Sequence, residues 1–173
     1  EEGVAEFIQV IKYAQVSKLG DFLSLLVLDP NFVVVRRIGL TKDADKDFSS
    51  ARNSLESAWG KARTTLAANK RPEPDHTVFV IPNDKSAGRM ENLCISAPAY
   101  PGVLKCADTA YDCAGKAETR SSDREKSIVA AYVSLVKPGL RLGTAVGAGC
   151  WDLKSAVFEP LRVFVRRIGS AAA

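Results

Sequence analysis

The stretch FVVVRRIGLTKDADKD, residues 32–47, indicates the fold class because an apolar run ends there in a cluster of acids. β-Branched residues dominate its first half, so residues 32–40 are predicted to form a strand. A second apolar run, residues 77–81, predicts another buried strand. Between them, residues 48–66 repeat apolar side chains at helical spacing, with Asp47 placed to cap the helix. This alternation favours an α/β domain with a mostly parallel central sheet flanked by helices.

The flanking segments are predicted to add a strand or short helix at residues 7–13 and a helix that starts after Ser17. That helix should end at Asp29-Pro30, because a residue before proline avoids the helical region. The C-terminal half is predicted to be helical, with a capping box at residues 122–125 and a last helix near residues 157–168. We expect a single domain over residues 1–173.

Composition limits the function classes. With 173 residues, 46% of them hydrophobic and 25% charged, the chain has the size and apolar content of one globular domain. It lacks an apolar stretch of about 18 residues and a signal-peptide pattern, so we expect a cytoplasmic protein without a membrane partner. It begins with Glu1, and we interpret the front as trimmed.

The four cysteines are interpreted as small buried thiols in a reducing compartment. The net charge of +4 allows a nucleic-acid partner.

Three aspartates follow the first predicted strand: Asp43, Asp45 and Asp47. Ligand sites in open α/β sheets lie at the carboxyl ends of strands, and residues i and i+2 of an extended chain point to one side. Carboxylates held together repel each other, and Mg²⁺ relieves that repulsion through oxygen ligands. In the other interpretation the aspartates form a polar turn and a helix cap. Lys42 and Lys46 flank them, either to contact substrate phosphate or to pair with the aspartates.

A second candidate segment, residues 83–93, follows the second predicted strand. Gly88 predicts a turn, and Glu91 falls in the first turn of the next helix, at the same edge of the sheet. Glu91 either adds a carboxylate to the site or complements the helix dipole. Lys85 and Arg89 are natural phosphate contacts, with solvated surface charges as the other interpretation.

The combined pattern resembles Toprim proteins: a strand ending in Asp-Ala-Asp, a helix, and a strand followed by Gly-x-x-Glu-x-Leu. The resemblance is to small bacterial Toprim-like proteins related to the overcoming-lysogenisation-defect nucleases. It continues through Lys126 and residues 18–23, 36–39, 138–143 and 151–152. It implies a Toprim-like fold and Mg²⁺ or Mn²⁺ held by Asp43, Asp45 and Glu91, with Asp47 as an auxiliary ligand. The implied chemistry is phosphoryl transfer on DNA or RNA.

Toprim proteins also carry an early glutamate at the end of their first strand, a general base or additional metal ligand. Glu2, in the segment Glu2-Gly3-Val4-Ala5-Glu6, fits the letters of that motif, but no strand precedes it. Either Glu2 is the remnant of the motif after trimming, or residues 6–13 form the second strand and the first unit is missing. We favour the latter. Lys42 is the other candidate catalytic residue.

Three classes of function follow. The first is a metal-dependent nuclease or related phosphodiesterase. The second is a non-catalytic module that binds metal, nucleotide or protein, including another copy of the chain. The third is a phosphoacceptor signalling domain, which is disfavoured because the strand–helix alternation fades after residue 95. The single histidine, His76, argues against Ser-His or Cys-His catalysis and is interpreted as structural.

Overall fold

The computed structural model describes residues 8–13, 18–116 and 123–169. The chain divides into two compact units. The first comprises the described residues within Glu1–Ala87 and Pro160–Ala173, and the second comprises those within Gly88–Glu159. Both helices and strands are present, so the α/β class is confirmed. The single domain over residues 1–173 stays a prediction.

The first unit contains a strand–helix–strand motif. The strands β1 and β2 pair in parallel, from Arg37 opposite Asp75 to Asp43 opposite Ile81. Within the described residues, the sheet consists of these two strands. The elements of this unit are α1 (Leu19–Leu26), β1 (Arg37–Asp43), α2 (Phe48–Ala68), β2 (Asp75–Ile81) and most of α7 (Glu159–Gly169).

Two predictions about the start of the chain are wrong. Residues 32–36 are not strand, because Pro30–Val34 forms a 3₁₀ helix and β1 begins only at Arg37. The reason is local: Asp29 accepts a hydrogen bond from the Asn31 amide, and proline at the first position fixes a helical φ. Residues 8–13 have no regular secondary structure, so the strand or helix predicted there is absent from them.

The core of the first unit lies mainly on one face of the sheet. The predicted apolar stripe of α2 is buried there, with Trp59 only 1% exposed. It packs with Leu40, Val78 and Val80 of the strands and with α1. Because side chains alternate along a strand, Phe79 lies on the other face, where its ring is 5.2 Å from that of Phe164 in α7. Helices therefore cover both faces of this small sheet.

The second unit is helical, which confirms the predicted helical C-terminal half. Its helices are α3 (Met90–Ile95), α4 (Pro101–Lys116), α5 (Arg124–Val136) and α6 (Leu142–Gly147), and a 3₁₀ turn at Ala156–Phe158 precedes α7. Asp123 caps α5 by accepting a hydrogen bond from the Lys126 amide. The fully buried Tyr132 donates its hydroxyl to the Cys150 carbonyl at 2.5 Å and accepts from the Tyr100 amide at 3.2 Å. This hydroxyl joins three segments of the unit.

The cysteines divide into two kinds. Cys94 and Cys150 are buried, as predicted, whereas Cys106 and Cys113 are exposed on α4, so the prediction of buried thiols is wrong for these two. Their spacing of seven residues puts them on one exposed face of the helix. Among the helices that the structure describes, none has the length and apolarity needed to cross a membrane.

Candidate functional site

Asp43 lies at the carboxyl end of β1, as predicted. It is the last residue of the strand and stands opposite Ile81, the last residue of β2. The next residue, Ala44, is buried and donates its amide to the Ile81 carbonyl at 2.9 Å. The parallel pairing therefore continues for one hydrogen bond past Asp43 and fixes the backbone that carries its carboxylate.

Asp45 lies in a tight turn. Its φ of 51° is in the left-handed region, and the Asp47 amide closes the turn by donating to the Ala44 carbonyl at 3.0 Å. The chain is therefore not extended at Asp45, and strand alternation cannot align its side chain with that of Asp43. The turn itself sets where the exposed Asp45 carboxylate lies.

Asp47 is the N-cap of α2, as predicted. Its Oδ1 accepts a hydrogen bond from the Ser50 amide at 3.0 Å. This bond satisfies one of the amides that the first turn of a helix leaves without an intrahelical partner. The capping interpretation of Asp47 is confirmed, and its role as an auxiliary metal ligand stays a prediction.

The predicted phosphate contacts near this edge are lysines. Lys42 is half-buried near the end of β1, and Lys46 is exposed in the turn. Lys85 is exposed in the segment after β2, where Asn83 Oδ1 accepts hydrogen bonds from the amides of Lys85 and Ser86. The structure thus places three lysines in the segments that follow or end the two strands.

This edge also holds an ion pair that the sequence did not predict. Arg52 Nη1 of α2 lies 3.1 Å from both carboxylate oxygens of Asp84, and Asp84 Oδ1 also accepts the Val80 amide at 3.0 Å. Asp84 has a φ of 60°, so these bonds hold a left-handed turn directly after β2. The position of Asp84 soon after a predicted strand was a sequence signal for a functional side chain. Nothing in the sequence indicated that Arg52, 32 residues away, would be its partner.

Glu91 and Arg89 belong to the second unit. Glu91 lies in the first turn of α3, as predicted. Burial raises the pKa of the Cys94 thiol to about 12, and the nearby charge of Glu91 adds to this effect. Arg89 precedes α3, and its Nη1 lies 2.6 Å from Asp123 Oδ2. A phosphate that contacted Arg89 would therefore compete with Asp123.

The donor chemistry of the aspartates fits Mg²⁺, which prefers carboxylate oxygens and is often bound by one or two carboxylates together with water and substrate phosphate. Within each unit, no three described carboxylate, imidazole or thiol side chains are grouped so that they could hold a metal ion. The metal-ligand roles of Asp43 and Asp45 stay predictions. Glu2 lies outside the described residues.

The fold and this edge define a mixed α/β protein with acids at the carboxyl end of a parallel strand pair. The sequence profile of DUF3226, a family of proteins of unknown function, matches residues 2–170. The chain belongs to this family. Neither the curated proteins nor the solved structures contain a match to the chain.

Proposed function

We propose that the chain is a Toprim-like domain that binds Mg²⁺ through Asp43 and Asp45 and acts on nucleic-acid phosphodiesters. The observation that carries this proposal is the position of Asp43 at the end of β1, hydrogen-bonded in register beside the end of β2. The carboxyl ends of parallel strands are the usual location of ligand sites in such sheets. Mn²⁺ has similar ligand preferences and would occupy the same oxygen site.

The residues around the aspartates have distinct proposed roles. Asp43 and Asp45 hold the cation, which when bound supplies Lewis-acid polarisation of a phosphoryl oxygen and stabilises the leaving oxygen. Lys42 and Lys46 contact the substrate phosphate on either side of the aspartates, and Lys85 contacts it from the segment after β2. Arg52 is a positioning residue, because its pair with Asp84 holds the turn that carries Lys85.

Three further residues belong to the proposal. Glu91 supplies the third carboxylate, Arg89 an additional phosphate contact, and Glu2 a general base or ligand. The capping hydrogen bond of Asp47 uses one carboxylate oxygen, and its second carboxylate oxygen is the proposed auxiliary ligand of the metal ion.

A direct test measures Mn²⁺ binding by electron paramagnetic resonance, together with Mg²⁺- and Mn²⁺-dependent cleavage of single- and double-stranded DNA and RNA. We expect the double variant Asp43→Asn, Asp45→Asn to lose both binding and cleavage. Asp75→Asn is a matched control, because Asp75 is an exposed aspartate at the opposite end of the same strand pair. Full cleavage by the double variant would refute the proposal.

The second candidate function is a non-catalytic binding module. The absence of a three-residue ligand group within each unit, over the described residues, is the observation that favours it. Mn²⁺ binding that depends on Asp43 and Asp45, without cleavage of any of the four substrates, would support this function over the nuclease. Nucleotide or protein would then be the partner to seek.

A further inference from the structure

An exposed apolar patch lies on the first unit, along α1 and the 3₁₀ helix Pro30–Val34. Backbone hydrogen bonds continue from the end of α1 into this second helix, so the two follow each other closely. Two aliphatic side chains of the patch are largely exposed, Leu25 by 71% and Val34 by 72%. Continuous apolar patches mark interaction surfaces, whereas single exposed side chains do not. The exposed side chains, which we call the aliphatic surface, are Leu25, Leu28, Val33 and Val34.

The outward side of α1 is as apolar as its inward side. Leu23 and the C-cap residue Val27 are buried in the core that α1 forms with α2. A helix that is apolar all round is typical of an element buried on every side. Leu25 is exposed, so α1 combines the composition of a buried helix with an uncovered outer face.

Cationic side chains flank the aliphatic surface. Arg71 Nη1 donates to the carbonyls of Val27 at 2.9 Å and Asp29 at 2.7 Å, so its guanidinium lies where α1 ends and the 3₁₀ helix begins. Lys18 is exposed just before α1, and Arg36 is exposed just after the 3₁₀ helix. Next to Arg71, the side chain of residue 70 is a further exposed lysine. The aliphatic surface therefore has a cationic border.

The carboxylates of the same region do not cancel this charge. Asp21 pairs with Lys61 at 3.2 Å, and Asp29 caps the 3₁₀ helix. The neighbouring Arg37 and Asp75 lie 3.8 Å apart and contribute equal and opposite charges. Asp21 and Asp29 are thus outnumbered, over the described residues of the two helices and their flanks, by the cations Lys18, Arg36, Lys61, Lys70 and Arg71.

This combination of aliphatic side chains and positive charge favours one kind of partner. A second copy of the chain would bring like charges together, which opposes association. A single-stranded nucleic acid binds through aromatic side chains that stack on its bases, and the aliphatic surface contains none. Protein interfaces depend mostly on tryptophan, tyrosine and arginine, whereas leucine and valine are under-represented among their strongest contacts. A negatively charged lipid surface matches both the charge and the aliphatic character.

We propose that the aliphatic surface binds the surface of an anionic lipid bilayer. Leu25 and Val34 enter the boundary between headgroups and acyl chains, and the flanking lysines and arginines contact the lipid headgroups. Stable binding of a protein to a bilayer surface takes two signals, an apolar one and a cationic one, and both are present here. The expectation of no membrane partner rested on the lack of a spanning segment, and a contact at the bilayer surface requires no such segment.

The test measures co-sedimentation of the whole chain with lipid vesicles in EDTA. One set of vesicles contains phosphatidylcholine alone, and the other contains roughly 30% phosphatidylserine as the anionic lipid. We expect binding to the anionic vesicles to be at least about tenfold tighter, and to weaken between roughly 0.1 M and 1 M salt, because salt screens the cations. The absence of binding to the anionic vesicles at the lower salt concentration would overturn the proposal.

Variants test the placement on α1. The double variant Leu25→Ser, Val34→Ser should weaken binding to anionic vesicles about tenfold or more, because it removes the most exposed apolar side chains. Leu135→Ser is the matched control: Leu135 is a 59% exposed leucine of α5 in the second unit, so the change should be less than about twofold. Circular dichroism spectra and Tm values establish that each variant is folded.

A second pair of variants tests the charges. Arg36→Gln with Lys70→Gln should weaken binding to anionic vesicles severalfold, because each cation near the bilayer surface adds to the attraction. Lys105→Gln with Lys154→Gln is the matched control, since both of these lysines are exposed in the second unit. Equal weakening by the two pairs would mean diffuse attraction to the net positive chain and would contradict the proposal.

Two further outcomes contradict the proposal. If Leu25→Ser, Val34→Ser left vesicle binding unchanged, the aliphatic surface would not be the contact. If sedimentation showed a dimer that this double variant dissociates, and the parent chain did not bind vesicles, the surface would belong to a second copy. Because EDTA is present throughout, none of these results depends on the metal proposed at Asp43.

Discussion

Of the three glycines Gly20, Gly39 and Gly60, we expect Gly39 to tolerate an added methyl group least. It lies within β1 under α7, and a Cβ built there would be 2.1 Å from Ile168 Cδ1 and 2.9 Å from Phe164 Cζ. Overpacking of this kind costs about 1–3 kcal/mol. Replacing glycine by alanine within a strand otherwise gains roughly 0.5–1 kcal/mol. The clash outweighs that gain, so Gly39→Ala should lower the free energy of unfolding by about 1–2 kcal/mol.

Urea unfolding followed by Trp59 fluorescence measures this effect in the first unit. Trp59 is fully buried there, and a Trp151→Phe background removes the only other tryptophan. Gly60→Ala is the matched control, because Gly60 lies within α2 and, apart from the neighbouring backbone of that helix, no atom lies within 4 Å of its Cβ position. The same chemical change should therefore stabilise the chain by about 1 kcal/mol at Gly60.

A double variant identifies the cause. Ile168→Ala removes the two atoms closest to the added methyl group, so Gly39→Ala should cost less in that background, with a coupling energy of roughly 0.5–3 kcal/mol. If Gly39→Ala stabilised the chain as Gly60→Ala does, α7 would not pack against β1 as described. If the cost were unchanged by Ile168→Ala, the reasoning from this contact would be refuted.

The remaining predictions concern thiols, pH and the helix cap. A thiol reagent at pH 8 should modify Cys106 and Cys113 in the native chain and reach the two buried cysteines only after denaturation; four reactive thiols in the native chain would contradict the burial. Partial burial raises the pKa of Glu73, but hydrogen bonds from Arg63 and Trp59 outweigh it, so the net pKa is lowered. The resulting stability is present above the unfolded-state pKa of about 4.3 and is lost as pH falls through the folded pKa. Between roughly pH 5 and pH 3, the free energy of unfolding measured in urea should therefore fall less for Glu73→Gln than for the parent chain. Equal slopes of this free energy against pH would contradict the prediction. Asp47→Ala should cost about 1 kcal/mol in urea unfolding, whereas Asp47→Ser, which keeps a capping oxygen, should cost much less; equal losses would remove the cap as the cause.

The most predictable part of the fold is the motif from β1 to β2. The stripe of apolar residues in α2 has a helical period over five turns, and the polar Asp47 just before it can cap the helix, so local signals agree with each other. The second strand was predicted within two residues of its observed start, because its apolar run is continuous and bounded by Pro74 and Pro82. Such elements can be predicted from sequence because the apolar period, the capping residue and the boundary residues all indicate the same structure.

The early part of the chain was not predictable in the same way. Phe32 to Val35 is a β-branched and aromatic run with a strand-like composition, yet Asp29 and Pro30 place its first three residues in a 3₁₀ helix. Val33 and Val34 are exposed there, so no core contact favours a strand over the local turn chemistry. Composition predicts a strand only where burial supports it.

The candidate site shows a different limit. The sequence placed Asp43 correctly at a strand end, because its position depends only on where an apolar run stops. The direction of Asp45 depends on a left-handed residue and on one amide bond across the turn, and neither has a signature in the letters Asp-Ala-Asp-Lys-Asp. The Arg52–Asp84 pair depends on how α2 lies beside the end of β2, which only the folded chain specifies.

The acids after β1 are ambiguous because strand termination, turn formation and metal binding all favour aspartate. The structure separates these uses by position: Asp43 ends the strand, Asp45 occupies the turn, and Asp47 caps the helix. A cap is satisfied by any short oxygen-bearing side chain, whereas cation binding needs the carboxylate charge. Asp47→Ser should therefore leave the Mn²⁺ affinity nearly unchanged if Asp47 only caps α2. It should lower that affinity if Asp47 also coordinates the cation. Asparagine at position 43 must lower that affinity under the proposed function. The two substitutions together distinguish a cation site from an acidic turn that has only a structural role.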